Sequence, residues 1–301
     1  LQDKAVALAV PQPLPSPEDR MAKMDAAGVE MQVLSVSAPS VFRLPAELRR
    51  PLTRDLNDEL GAMAAGSAGR LKVFASLPLP DVEDALEEID RVAKHSEVVG
   101  FALCTTIDRR TLDDACFAPV WDELSRRQAV VFVHPTTGCC TEGVREYALA
   151  LALDFLAETT NAIGRMSYSG AFERYDGIRW IFTHLGGTIP FVFHRLDNYA
   201  SQFPENRANI TARPSEIVRR LHFDTVTTHA PALRCAVDTL SADRLLFGTD
   251  YPHVPGGLEV FVKTLESIGL TPEELHAVGS SNARRLLRID AAADPGDGSA
   301  T

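Results

Sequence analysis

Seven short apolar runs recur along the chain, at Met31–Ser37, Leu71–Leu77, Val98–Cys104, Ala129–His134, Ile178–His184, Leu221–Val226 and Arg244–Asp250. Most of them are near-continuous in Val, Ile, Leu, Phe and Ala, not alternating, which is the pattern of strands covered on both faces. Between them the period lengthens to that of amphipathic helices, over Ala46–Ala65, Asp81–His95, Asp114–Arg127 and Ala230–Leu240. Strands alternating with helices predict a parallel sheet wrapped by helices. Gly256–Gly269 reads as one more barrel helix. Thr271-Pro272-Glu273-Glu274 then opens a last one, with threonine as N-cap and proline at the first helical position. That helix is expected to run to Leu287 and to pack against the outside of the sheet.

Three of the runs stop on residues with chemistry. Ala129–Val133 ends at His134-Pro135, Ile178–Thr183 at His184-Leu185-Gly186-Gly187, and Arg244–Thr249 at Asp250-Tyr251-Pro252. Active groups at the C-terminal ends of several strands fit a closed barrel better than a doubly wound sheet. The predicted fold is α/β, a distorted (β/α)8 TIM barrel. Closure takes an eighth strand, and nothing in Leu1–Arg20 supplies one, so the first strand is expected upstream of the given sequence or remodelled; an open sheet would leave a long unpaired edge. One domain is expected over residues 1–290, followed by a flexible tail, 291–301, that carries Pro295, Gly296 and Gly298.

Neutral imidazoles and a carboxylate at one mouth are ligands suited to a divalent ion such as zinc or manganese. Taken singly, His134 reads as a loop residue and Asp250 as a turn cap. Their repetition with His184 on three strands of one barrel favours a common site. Gly186-Gly187 would let the backbone approach a ligand closely and open the next helix toward an anion. Arg195, beyond it, has the geometry for paired hydrogen bonds to a carboxylate, or is an exposed helix residue. His229 is a candidate substrate group. Ser37, Thr105, Thr106, Thr136, Thr137 and Asp224 read mostly as caps and loop residues; His95, His222 and His276 have no constellation around them, and Trp121 reads as core.

Composition narrows the class. Thirty Lys and Arg against 41 Asp and Glu give a formal charge of -11, spread over faces such as 81–90, which argues against a nucleic-acid backbone as partner. No apolar run reaches the roughly 20 residues of a membrane span, and Ala5–Val10 lacks the charged leader and cleavage site of a signal peptide. The five cysteines, Cys104, Cys116, Cys139, Cys140 and Cys235, show neither a disulfide framework nor zinc spacing, and a reducing cytosol is expected.

These motifs, in this order, resemble the amidohydrolase superfamily, in particular the amidohydrolase-related branch that includes aminocarboxymuconate semialdehyde decarboxylase and the resorcylate-type decarboxylases. The resemblance runs through Met24–Ser35, Asn57-Asp58, Ala75–Leu79, Phe132–Pro135, Thr183–Gly187 and Phe247–Pro252. It implies a homodimer, a metal ligand in His134, a metal ligand or proton carrier in Asp250, a catalytic histidine beside the metal in His184, and a carboxylate-binding Arg195 that sometimes reaches across a dimer interface. It also implies first-strand ligands, His-x-His or Glu-x-His, that Leu1–Arg20 does not contain. The expected activity is metal-dependent, nonoxidative decarboxylation of a small aromatic or unsaturated carboxylic acid. Metal-assisted hydrolysis of a lactone, ester or amide is the alternative within enzymes, and a metal-free binding or regulatory barrel the alternative outside them.

Overall fold

The structure, a computed structural model, describes residues 15–38, 40–136, 142–144, 146–253 and 256–289. Thr137, Cys139, Cys140, the segment up to residue 14 and the tail from residue 290 lie outside them. Nine strands occur in chain order: β1 Gln32–Leu34, β2 Leu71–Ser76, β3 Val98–Cys104, β4 Thr106–Ile107, β5 Arg110–Thr111, β6 Val130–His134, β7 Arg179–Phe182, β8 His222–Asp224 and β9 Leu245–Leu246. Seven form one parallel sheet in the order β1-β2-β3-β6-β7-β8-β9, while β4 and β5 make a small antiparallel hairpin. Each predicted run contains one strand of the large sheet. The helices are α1 Pro17–Ala27, α2 Ala46–Ala65, α3 Val82–Val92, α4 Ala118–Arg126, α5 Phe155–Tyr168, α6 Ala171–Arg174, α7 Ile189–Gln202, α8 Pro214–Val218, α9 Ala230–Leu240, α10 Gly257–Ser267, α11 Pro272–His276 and α12 Asn282–Leu287.

Alternation along each strand sorts side chains between two cores. Val131 and Val133 of β6, Trp180 and Phe182 of β7 and Phe223 of β8 meet helix residues such as Ile89, Trp121, Leu124 and Ile163 in the layer between sheet and helices. Trp121 is buried there, its indole N–H donating to the Leu112 carbonyl at 2.9 Å. The opposite parity, Phe74, Ala102, Val130, Ile181 and Leu246, forms an interior cluster with Phe132 and Val33. His134 and Asp224 share that inward parity.

The last helix corrects an expectation. Leu286 and Leu287 of α12 join the interior cluster and do not lie on the outer layer. Arg179, at the start of β7, donates from Nη1 to the Leu286 carbonyl at 2.5 Å, and Arg288 donates to Gln128, just before β6, at 2.8 Å. Thus α12 closes the N-terminal end of the sheet. Val130, Ile181 and Leu246 would otherwise face water there, and two adjacent leucines on a short helix cover them.

The expected capping box at Thr271 is present, with Thr271 Oγ1 accepting the Glu274 N–H at 3.2 Å and Glu274 returning the bond to the Thr271 N–H at 2.9 Å. Beyond it a π-helical turn, Ala277–Ser281, separates α11 from α12. This turn serves β9: the Phe247 N–H donates to the Val278 carbonyl at 2.9 Å, and Asn282 Nδ2 donates to the carbonyls of Ala242 and Leu245, each at 2.9 Å. The strand's outer edge is therefore blunted by helix, one of the ways an edge avoids pairing with another chain. Among the described residues no ladder joins β9 to β1, and α1 packs on α10 at that side of the molecule.

Candidate metal centre

The C-terminal ends of β6, β7 and β9 bring His134, His184 and Asp250 together, as the sequence predicts. His134 is the last residue of β6, in register with Cys104 of β3, and its carbonyl accepts the Thr105 N–H at 3.0 Å. After β7 the chain takes four successive residues with positive φ: His184 (54°), Leu185 (59°), Gly186 (75°) and Gly187 (68°). Two of these are not glycine, and each costs about 1–2 kcal/mol in that region. The turn is held by Asp224 at the end of β8, whose Oδ1 accepts the His184 N–H at 2.6 Å and the Val226 N–H at 3.1 Å, and by burial of the Leu185 side chain. Asp250 also has positive φ, 51°.

The two glycines do something other than approach a ligand. A Cβ on Gly186 would lie 2.7 Å from the Phe223 ring, and one on Gly187 would lie 2.2 Å from the Leu156 carbonyl oxygen of α5. Close packing of the His184 turn against β8 and α5 is what requires them.

His134 Nε2 stands 3.9 Å from Asp250 Oδ1, and His184 Nε2 stands 3.8 Å from Asp250 Oδ2. These separations are too long for hydrogen bonds. They suit donors sharing one ion, since ligands about 2.0–2.2 Å from a metal lie roughly 3–4 Å apart. One donor atom from each of the three residues lies within 4.8 Å of the others. The imidazoles are also oriented from behind. His134 Nδ1 is 2.7 Å from the Pro135 carbonyl, which can only accept, so Nδ1 carries the proton and the Nε2 lone pair faces the carboxylate. His184 Nδ1 lies 3.0 Å from Thr183 Oγ1. The residues present fit a divalent ion, with room for further ligands.

The electrostatics agree. Burial, reinforced by the neighbouring His184, lowers the His134 pKa to about 4 and keeps it neutral, the form that coordinates. Burial opposes the His184 cation, but Asp250 and Asp224 beside it more than offset this and shift it upward. Burial likewise opposes the Asp250 anion, and the two imidazoles outweigh it and hold the carboxyl below its usual range. Asp224, fully buried, is pushed up to about 6 chiefly by desolvation.

The other anticipated residues do not join the cluster. Arg195 lies exposed on α7 with its guanidinium 5.3 Å from the Tyr199 ring centroid, and His229 is the exposed N-cap residue of α9. Three contributors were not anticipated. Asp224 read as a cap, although its place at the end of an apolar run was the same signal that singled out Asp250. Phe155 sets its ring edge-on to His134, with centroids 5.7 Å apart, and Glu158 accepts from the Thr106 hydroxyl at 2.9 Å near the same mouth. Both belong to α5, in a stretch where nothing but tertiary packing marks them.

Comparison with known proteins accords with this geometry. The amidohydrolase family model matches residues 10–289. The chain is 30% identical over 265 residues to 6-methylsalicylic acid decarboxylase of Penicillium expansum, covering 86% of this chain and 82% of that one. It is 26% identical over 282 residues to 2-amino-3-carboxymuconate-6-semialdehyde decarboxylase of Dictyostelium discoideum, covering 91% and 77%. Among solved structures, 5-carboxyvanillate decarboxylase from Sphingomonas paucimobilis superposes with a TM-score of 0.84 at 26% identity, covering 91% of this chain and 83% of that one. The 2,6-dihydroxybenzoate decarboxylase from Rhizobium does so with a TM-score of 0.84 at 25% identity, covering 92% and 90%. With a family match across nearly the whole chain and solved decarboxylases that superpose on the same fold, this protein belongs to the amidohydrolase family.

Proposed function

We propose that the protein is a metal-dependent, nonoxidative decarboxylase of a small aromatic carboxylic acid. The observation that carries this reading is the convergence of His134, His184 and Asp250 from three strand tips at ion-sharing distances, in a chain whose relatives are decarboxylases. His134 and Asp250 would hold a divalent ion, zinc or manganese, with His184 beside it or as a third ligand. Such an ion, when bound, holds substrate oxygens and stabilises the negative charge that develops as the carboxyl carbon leaves. The chain's own residues then have three tasks. Asp224 and the two glycines fix the position of His184. The His184–Asp250 pair carries the proton that replaces carbon dioxide on the ring carbon; two groups this close titrate as a pair. Phe155 walls the mouth beside His134 and excludes water from it.

Arg195 and His229 we assign to substrate binding. Arg195 sits on α7 with Phe191 and Tyr199, and Phe203 follows at the helix's C-terminal cap; the three aromatics are 87%, 41% and 44% exposed. An apolar surface of this kind on one helix supports self-association. We therefore infer a homodimer in which Arg195 of one protomer serves the mouth of the other. No helix among the described residues is long and apolar enough to cross a membrane, and Cys104, Cys116 and Cys235 are free thiols, as a cytosolic enzyme would have.

The test offers 2,6-dihydroxybenzoate, 6-methylsalicylate and 5-carboxyvanillate to the full-length protein and follows carbon dioxide and ring products. Stoichiometric carbon dioxide without water uptake, lost on chelation and restored by manganese or zinc, is the expected result. Ring opening with uptake of one water, or turnover indifferent to chelation, overturns the proposal. His184→Ala and Asp250→Ala should each leave a folded protein with turnover reduced by roughly a hundredfold or more.

A further inference from the structure

The end of the barrel opposite the metal centre carries an unusual charge arrangement. Arg179 begins β7, His222 begins β8, Arg244 immediately precedes β9, and Arg285 and Arg288 extend from the closing helix α12. Arg244 Nη1 lies 3.5 Å from His222 Nε2. Asn282 joins the two sides: its Nδ2 donates to the carbonyls of Ala242 and Leu245, which bracket Asp243 and Arg244, and its Oδ1 accepts from Arg285 at 2.8 Å. Arg179 and Arg288 meet at Gln128, whose carbonyl accepts from Arg179 Nε at 3.0 Å and whose Oε1 accepts from Arg288 at 2.8 Å.

The partners of these four arginines are neutral. Arg179 spends its donors on the carbonyls of Gln128 and Leu286 and is structural. A guanidinium has five N–H donors. Arg244, Arg285 and Arg288 direct one each to His222, Asn282 and Gln128, and among the described residues none of the four pairs with a carboxylate. The chain carries 41 acids against 30 bases, and arginines elsewhere are repeatedly paired, as Arg49 is with Asp81 and Arg165 with Asp113. Unpaired guanidinium groups held together repel one another, and the forks that remain are directed toward bidentate partners such as phosphate. Arg285 and Arg288 line a cavity of about 610 Å³ together with Ser280 and Ser281. The one carboxylate on its wall, Glu30, is neutralised by Arg284 at 2.9 Å. The volume lies within the range of about 300–1,000 Å³ that small-molecule sites occupy.

We propose that this cavity is a second ligand site, one that binds a small phosphate-bearing molecule, with its phosphate held by Arg285, Arg288 and the hydroxyl of Ser281 and with Arg244 adding to the field. It is separated from the metal centre by the length of the strands, roughly 17 Å for five residues. A ligand there would tie α12 to the starts of β6, β7 and β9.

The probe is inorganic pyrophosphate, titrated calorimetrically into the full chain with excess chelator, so that no metal ion can take the anion, and against sodium chloride of equal ionic strength. Saturable binding beyond the chloride control is expected. Arg285→Gln with Arg288→Gln, both at exposed positions, should weaken it by roughly tenfold or more, since each removes charge-assisted hydrogen bonds. Arg174→Gln, an exposed arginine on α6, should leave the affinity unchanged. No heat beyond chloride, retention of affinity in the double variant, or equal weakening by Arg174→Gln overturns the site. Citrate bound as tightly as pyrophosphate overturns the assignment to phosphate.

Discussion

Replacing Gly187 by alanine tests how the turn that presents His184 is built. Gly187 has φ 68° and ψ -121°, outside the left-handed helical region that non-glycine residues sometimes visit. Forcing alanine there costs about 1–3 kcal/mol. The added Cβ would also stand 2.2 Å from the Leu156 carbonyl and 2.6 Å from Thr160 Oγ1, and the first of these is backbone that only a shift of α5 can move. Overpacking of that kind costs about 1–3 kcal/mol more. The unfolded chain loses freedom on the same change, which returns about 0.4–1 kcal/mol. The net expectation is a loss of about 1–6 kcal/mol, read as a lower urea midpoint at unchanged slope. Because Phe155 adjoins Leu156 and packs on His134, metal content should fall as well. Gly61→Ala, in α2 with negative φ and nothing within 4 Å of the new methyl, is the internal control and should gain roughly 0.5–1 kcal/mol. A Gly187→Ala protein within about 1 kcal/mol of the parent, with full metal content, would refute this account of the turn.

Leu286→Ala should cost about 2–5 kcal/mol, because it opens a cavity where α12 covers the strand starts; a loss below about 1 kcal/mol would mean that the helix rests on the surface. His222, lowered to about 4 by burial and then by Arg244, is neutral when folded and takes a proton near its ordinary 6.5 when unfolded. The unfolded state therefore binds more protons between these values, and stability falls as pH drops from about 6.5 to 4, by at most about 3 kcal/mol for this group. In phosphate-free buffer, His222→Gln should flatten that part of the stability profile, and an unchanged profile counts against the assignment. Asp224→Asn keeps an oxygen for the His184 N–H, whereas Asp224→Ala strands that amide at a cost of about 1.5–3 kcal/mol. Metal titration should find the alanine variant the weaker binder, and equal affinities would remove Asp224 from the positioning role.

The strands and the strand-tip trio were legible because both depend on local signals. Each strand of the large sheet falls inside a run of apolar residues too short for a helix, and parallel strands buried on both faces need nothing subtler. His134, His184 and Asp250 each ended such a run, so one topological rule sufficed to bring them to a common mouth. Asp224 ended a run too, and read as a cap because a single acid after apolar residues has many uses. Strand lengths were overestimated at β1 and β9, since apolar character continues where the backbone has already turned away; at β9 the Phe247 amide pairs with the Val278 carbonyl.

What the sequence determined by itself is therefore the alternation of elements, the barrel class and the three strand-tip donors, all consequences of the order of apolar and polar residues along one chain. Tertiary structure decided the rest. Gly186 and Gly187 make room for Phe223 and α5, not for a ligand; α12 closes an end of the barrel where a surface helix was expected; and His222, unremarkable in sequence, lies among Arg179, Arg244 and Arg285. Each of these depends on atoms brought together across many residues of chain. Close approach, burial and unbalanced charge are properties of such distances in space, and the local pattern carries no record of them.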